Sequence, residues 1–466
     1  MDLPESGRSA EDLLAELARL RGRDLPVRGG RVTAYVYDTG RPEVHEAAAR
    51  AYLELLEVNM LDPTAFPSVV AMERQVVGAV ADLLGGGHGI FTSGGTESIM
   101  LAVKAARDAS PGRGTLVLPV TAHPAFHKAA HYLGLRVRQV PVDLETFRAD
   151  PAAMAKAVDE TTCLVVASAP AYPHGVVDPV AEIAALGVPC HVDACVGGWL
   201  LPWLREAGAD VPAFDLTVPG VTSISCDLHK FGYAPKGASV VLFRDPAWRR
   251  RAYFASAAWP GYTLVNPTVQ SARTAGPLAG AWATLQALGR EGYRELGRAT
   301  LEATRRLRAG LAAIPGLRVL GDPQSSLVAF ASAEVDVFVL ADEARKLGWL
   351  LQPQLSFAGI PKNLHVTVTG VTLAGVEAML EAIAAATEAA RRRGPAVPPE
   401  GLVELVAGLD LDALDDGQFA ELAASAGADF DGEPEMAMVN AILDALPPRL
   451  REAVLVRFFS ALYATG

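Results

Sequence analysis

Apolar residues fall into two alternating rhythms along most of the chain. TLVLPV, RVRQVPVD, CLVVASAP and PCHVDAC are short apolar runs that read as strands. The stretches between them, HPAFHKAAHYLG, residues 151–158 and residues 180–186, carry apolar positions at helical spacing. Such alternation predicts an α/β fold with a mostly parallel sheet covered on both faces, whose functional groups gather at the carboxyl ends of the strands. Upstream, SAEDLLAELARL places leucines at helical spacing behind a Ser9/Asp12 pair that looks like a capping box, so an amphipathic arm is expected there, packed on its own body or on another subunit. RVTAYVYDTG then alternates, a helix is expected from residue 42 to about 57, and the two prolines of NMLDPTAFPS are expected to forbid regular structure. A further helix over 72–84 leads to GIFTSGGTES, read as strand, glycine turn and the start of a long helix near Thr96.

Past residue 244 the rhythm changes. The polar segment TLVNPTVQSARTAGP leads into a long helix from about 278 past 307, and GLRVLG, SLVAFAS and LHVTVTG, with helices over 337–346 and 373–393, predict a smaller α+β domain. GPAVPPE reads as a linker, and an acidic, mostly helical tail follows. The expected divisions are an N-terminal arm with helices (1–58), a large domain (59–300), a small domain (301–394) and the tail (395–466).

Composition narrows the class of protein. Half of the 466 residues are hydrophobic and a fifth charged, enough for a large core plus a smaller domain. The net charge of −12, without a Lys/Arg cluster, argues against a nucleic-acid partner. The four cysteines have no C-x-x-C pair or zinc-finger spacing and are expected to be buried free thiols, which with an acidic N-terminus predicts a cytoplasmic protein; no metal site is expected. No uncharged apolar run reaches membrane-spanning length, so no transmembrane segment is expected.

Candidate chemistry centres on SISCDLHKFGYAPKGASVVLFR, residues 223–244. Lys230 falls in a loop between two apolar strands, where a lysine can have a depressed pKa and act as a nucleophile. On the loop alone, His229, Lys230 and Lys236 could equally be ordinary charges on a hairpin. Asp193 ends the apolar strand of PCHVDAC, and Gly94 and Gly95 precede a helix whose unpaired N–H groups make an anion site. An anion cradle, a strand-end carboxylate and a loop lysine together match what pyridoxal 5'-phosphate requires: a phosphate anchor, a partner for the ring nitrogen and an amine for its aldehyde.

These motifs carry a family resemblance. TSGGTES (92–98), HPAFHKAA (123–130), APAYPHGVVDP (169–179), HVDACVGGWL (191–200) and GVTSISCDLHKFGYAPKG (220–237) resemble the sphingosine-1-phosphate lyases, within the pyridoxal-phosphate-dependent (group II) decarboxylases of fold type I. The resemblance runs over about 32–370 and more weakly through the tail. It implies that Lys230 links the cofactor and shuttles protons, that Asp193 keeps the ring nitrogen protonated, and that Gly94, Gly95 and Thr96 hold the phosphate with help from His229. It further implies that His123 stacks on the cofactor, although a core-helix histidine is the bland alternative, and that Lys236 meets a substrate phosphate with Tyr37 and Tyr172 near the reacting carbon. Asn59 is kept on the substrate side, while His127, His174 and His191 are left as structural or supporting. Three positions depart from the family pattern: Asp62 stands for a histidine, Leu264 for a tyrosine, and Val439 for a further substrate-side tyrosine.

The implied reaction is retro-aldol cleavage of a phosphorylated sphingoid base to a fatty aldehyde and ethanolamine phosphate, in a homodimer with shared active sites. The alternative is decarboxylation of an amino acid, or a related lyase reaction on an unphosphorylated substrate. A binding protein descended from such an enzyme is the third possibility, against which the intact Lys230 and Asp193 speak.

Overall fold

The computed structural model describes residues 3–411, 413–415, 417–419, 421 and 435–463. Its large sheet has seven strands: β1 (His88–Thr92), β2 (Thr115–Pro119), β3 (Arg136–Val140), β4 (Thr162–Ser168), β5 (Cys190–Asp193), β6 (Val221–Cys226) and β7 (Ser239–Phe243). They lie in the order β1-β7-β6-β5-β4-β2-β3, and every pairing from β6 to β3 is parallel while β7 runs antiparallel to both neighbours. β2, β4, β5 and β7 are buried along their whole length, because helices cover both faces.

β8 (Phe254–Ser256) and β9 (Leu264–Asn266) form a hairpin. A second, antiparallel sheet is built from β10 (Leu317–Val319), β11 (Leu327–Ser332), β12 (Gln352–Gln354) and β13 (Asn363–Thr367), in the order β10-β11-β13-β12. Helices Val337–Lys346 and Val376–Arg393 bury their apolar faces against it, which gives the small domain its own core. The segment Gly370–Arg393 is long and apolar enough to cross a membrane by length and composition, but it carries three arginines in its last turn and packs on this core.

The boundary expected at residue 300 falls inside one helix, Gly276–Ala313, whose first half completes the large core and whose last turns enter the small one. The N-terminal segment is likewise not separate. Val32 bridges Leu350, and the Thr367 N–H donates to the Thr33 carbonyl, so residues 32–34 edge the small sheet. The Ser9 cap is as expected, its hydroxyl accepting the Asp12 N–H. Pro67 is a correction: it starts the helix Pro67–Leu83 at its first turn, where a missing N–H costs nothing. All four cysteines are free and buried.

Candidate active site

Five strand ends converge on one cavity of about 370 Å³. After β1 comes Ser93 and the turn into helix Gly95–Ala109; after β2, His123; at the end of β4, Ser168, and beyond it Tyr172; at the end of β5, Asp193; after β6, Asp227, His229 and Lys230. Each arrives at a carboxyl end, as a parallel sheet dictates.

Lys230 lies 2.9 Å from Asp227, whose carboxylate is almost wholly buried, while the lysine side chain keeps 20% of its surface toward the cavity. Burial alone would lower the lysine pKa, but the Asp227 charge, joined by Cys195, Tyr37 and Asp193, outweighs it and holds Lys230 well above the ordinary lysine value. The depressed pKa expected from the loop is therefore wrong for the cofactor-free protein, because its paired carboxylate was not counted. Burial raises Asp227 in turn, and Lys230 and His229 pull it below the usual carboxylate range. Its second oxygen, Oδ1, is buried and has no hydrogen-bond partner within bonding distance among the described residues.

The glycine turn is fitted to this pair. A Cβ on Gly95 would stand 2.6 Å from Cys195 Sγ and 2.8 Å from Asp227 Oδ2, so only glycine lets the turn lie against the carboxylate. Gly94 is looser, with 3.5 Å to the His229 ring. No side chain caps the helix, and the N–H groups of its first turn have no partner within it, leaving a donor cradle facing the cavity. Glu97 fixes the cradle from behind: it accepts the Ser93 N–H at 2.7 Å and the Val269 N–H at 2.8 Å, tying the turn to the segment after β9.

Asp193 accepts the Cys195 N–H at 3.1 Å and lies 3.4 Å from the Ser225 hydroxyl. Ser225 is 3.3 Å from His191, whose other ring nitrogen meets Ser223 at 2.8 Å. His191 is thus a buried support for Asp193, its pKa pushed down to about 4 by burial. His123 precedes its helix, which starts at Ala125, and its Nδ1 accepts the Ala125 N–H at 3.2 Å. The core-helix alternative for it falls, and burial lowers its pKa, opposed by Asp193. His229 accepts the Ala238 N–H through Nδ1 at 3.3 Å and faces Asp227 with Nε2 at 3.5 Å. Burial, opposed by Asp227, lowers its pKa too.

His229 also lines a second cavity of about 510 Å³, shared with Tyr37, Arg28, Arg41 and Lys236. Lys236 places its ammonium 5.0 Å from the Tyr37 ring centre and 3.4 Å from the His229 carbonyl, and burial lowers its pKa. Tyr172 stays in the first cavity. Asn59 reaches neither: its Oδ1 accepts the Leu61 N–H at 2.9 Å. Asp62 caps the following turn through Thr64 and Ala65, Leu264 lies in the β8–β9 hairpin, and Val439 lines an apolar cavity among the C-terminal helices. His174 is buried against Phe147, and His127 meets Gln139 away from both cavities.

The residues present suit pyridoxal phosphate. A steric glycine cradle, a buried amine–carboxylate pair and a strand-end acid share one cavity, in the size range of small-molecule sites. Residues 48–333 match the pyridoxal-dependent decarboxylase conserved domain, and residues 400–461 a C-terminal putative HTH domain of pyridoxal-dependent enzymes. The chain belongs to the pyridoxal-dependent decarboxylase family. It is an enzyme, a lyase using pyridoxal phosphate. It is 38% identical to the sphingosine-1-phosphate lyase of Dictyostelium discoideum over 86% of this chain and 76% of that one. A solved sphingosine-1-phosphate lyase of Burkholderia pseudomallei superposes with a TM-score of 0.80 at 37% identity, over 84% of this chain and 93% of that one. A probable L-tyrosine/L-aspartate decarboxylase of Methanothermobacter thermautotrophicus is 36% identical over 70% of this chain and 89% of its own.

Sequence reasoning missed Asp227 and Glu97. Both had a local signal: Asp227 stands three residues before Lys230 in DLHK, and Glu97 three residues after Gly94 at the head of a helix.

Proposed function

We propose that this protein cleaves phosphorylated sphingoid bases to a fatty aldehyde and ethanolamine phosphate. The observation that carries this reading is the 37% identity to the Burkholderia lyase across 84% of this chain and 93% of that one.

Pyridoxal phosphate, when bound, supplies an electron sink for the pair left by the broken carbon–carbon bond. The protein's part is to bind, orient and move protons. The N–H groups of Gly94, Gly95 and Thr96, with His229, hold the phosphate. Asp193 keeps a proton at the ring nitrogen, since an adjacent carboxylate favours the cation. Lys230 would provide the amine that holds the cofactor, and its Nζ, 2.9 Å from Asp227, is placed to hold and return a proton. His123 walls the cavity. Lys236, beyond His229, meets the substrate phosphate, and the ring of Tyr37 holds the lysine over the second cavity.

The test is the holoenzyme with a phosphorylated sphingoid base, followed by mass spectrometry for the aldehyde. Lys236→Gln should raise KM for that substrate about tenfold or more and leave an unphosphorylated amine unaffected. Turnover of another amine with no aldehyde from the phosphorylated base refutes the reading. Amino-acid decarboxylation is the second reading, favoured by the archaeal decarboxylase and by the departure at Leu264. Carbon dioxide release across an amino-acid panel decides it.

The proposed assembly is a homodimer with shared sites. The exposed Leu13, Leu14, Leu17 and Leu20 of the N-terminal helix, and Trp259 and Tyr262 of the hairpin, support it. Asn59 belongs to a substrate site only in that dimer. The proposed compartment is the cytoplasm, supported by four reduced, buried thiols. Sedimentation and fractionation test these two points.

A further inference from the structure

Tyr172 is held from three directions by the small domain. The Gln354 amide donates to the Pro173 carbonyl at 2.9 Å, and the His365 ring stacks on the Tyr172 ring with centres 4.5 Å apart. Backbone and ring are thereby fixed, and the one freedom left is rotation of the phenolic proton. Gln352, which faces His365 across β12 and β13, takes that proton: the Tyr172 hydroxyl donates to Gln352 Oε1 at 2.6 Å. The other end of the amide, Nε2, donates to the Tyr35 hydroxyl at 3.0 Å. Tyr35 has a left-handed backbone, φ +66°, which costs energy for a bulky residue and persists where surrounding contacts enforce it.

We infer that Gln352 is a positioning residue that turns the Tyr172 proton away from the cavity and leaves the phenol oxygen as a hydrogen-bond acceptor for a substrate hydroxyl. A phenol has one proton, and here it is committed to Oε1. What Tyr172 offers to the cavity it lines with Lys230 and Asp193 is therefore lone-pair density, which selects a donor on the substrate. Burial also keeps Tyr172 un-ionised, so it orients that hydroxyl rather than taking its proton outright. Tyr35 steadies the amide from its far side. The inference rests on the lyase reading for the identity of the hydroxyl, which in a sphingoid base is the one on the carbon next to the bond that breaks.

The experiment is a double-mutant cycle on the holoenzyme. Gln352→Leu should lower kcat about ten- to a hundredfold with KM within about threefold, and the cofactor absorbance should match wild type. Gln352→Glu keeps an acceptor at the same place and should restore most of the activity. In a Tyr172→Phe background, Gln352→Leu should change kcat by less than about twofold. An equal loss in that background, or a Glu variant as poor as the Leu variant, overturns the inference, since Gln352 would then act through β12 packing. A readout free of turnover is the 19F resonance of 3-fluorotyrosine at position 172. It should move in Gln352→Leu and stay near its wild-type position in Gln352→Glu; a resonance unmoved in both overturns the hydrogen bond. If wild type releases no aldehyde from a sphingoid base but turns over another amine, the lyase reading fails alone, and the same cycle on that amine still tests Gln352.

Discussion

Replacing Asp227 by asparagine removes one charge and almost no volume, so what remains is a lysine ammonium in a pocket built for a pair. Lys230 Nζ is 2.9 Å from a carboxylate that is only 2% exposed, and the lysine itself is 20% exposed. Breaking a buried pair from one side costs about 3–5 kcal/mol, and access of water to Lys230 through the cavity places this case near 3 kcal/mol. The pH dependence separates this cause from simple misfolding. In wild type the Lys230 pKa is raised, so its contribution is present below the unfolded lysine value and is lost only as pH climbs through the folded one. Asp227 is lowered, so its contribution is present above the unfolded carboxylate value and is lost only as pH falls through the folded one. Between pH 6 and 9 the pair therefore contributes a constant amount. In Asp227→Asn the strongest charge opposing burial is gone, so burial dominates the weaker pull of Asp193 and depresses the Lys230 pKa, the unfolded chain binds more protons, and stability should rise with pH by up to about 1.4 kcal/mol per unit toward the unfolded lysine value. Urea unfolding of the cofactor-free proteins at pH 6, 7, 8 and 9 measures this. Asp227→Asn/Lys230→Met, with no charge left to strand, should return to within about 1 kcal/mol of wild type. A single variant within about 0.5 kcal/mol of wild type at pH 7, with a parallel pH profile, would refute the assignment of Asp227 as the partner that keeps Lys230 charged.

Gly95→Ala should weaken cofactor binding more than tenfold and lower the melting temperature, because its Cβ meets Cys195 and Asp227; Gly94→Ala, with room at 3.5 Å, should leave the cofactor-free protein within about 0.5 kcal/mol. Scanning calorimetry and cofactor titration read both. Asp193→Asn preserves an acceptor for the Cys195 N–H but not the charge, so it should leave unfolding nearly unchanged and cut kcat about a hundredfold or more. Lys230→Ala should prevent borohydride reduction from fixing the cofactor to the chain, read as the absence of a mass increment on the intact protein.

The sheet was legible because β2 and β4 are buried on both faces, which forces short apolar runs, and these alternate with stretches at helical spacing. The division at residue 300 was not, since a helix that serves two cores keeps its apolar stripe across the boundary. Pro67 misled because a proline reads as a breaker unless the helix start is known. The charge state of Lys230 was out of reach for a different reason. Burial and nearby negative charge push a lysine in opposite directions, and the outcome turns on how closely the fold brings Asp227 and its neighbours to the amine.

The two halves of the site differ in how they are encoded, and this explains why Gln352 went unread while Gly95, Asp193 and Lys230 did not. The cofactor half is made of turns that follow strands directly, so Gly95, Asp193 and Lys230 each sit within a few residues of the element that aims them, and short motifs capture them. The substrate half is made where remote segments meet: Gln352 lies 180 residues from Tyr172 and 317 from Tyr35, and no local pattern marks it. The same division bears on the departures. Asp62 accepts from Thr64 and Ala65 in its own turn, so its presence has a local role and is not by itself a sign of altered chemistry. A change of substrate would have to show in the remote contacts around Lys236, Tyr37 and Tyr172. There the ammonium lies over an aromatic ring and the phenol is held by a bridging amide, an arrangement suited to a substrate that carries an anion at one end and a hydroxyl near the amine.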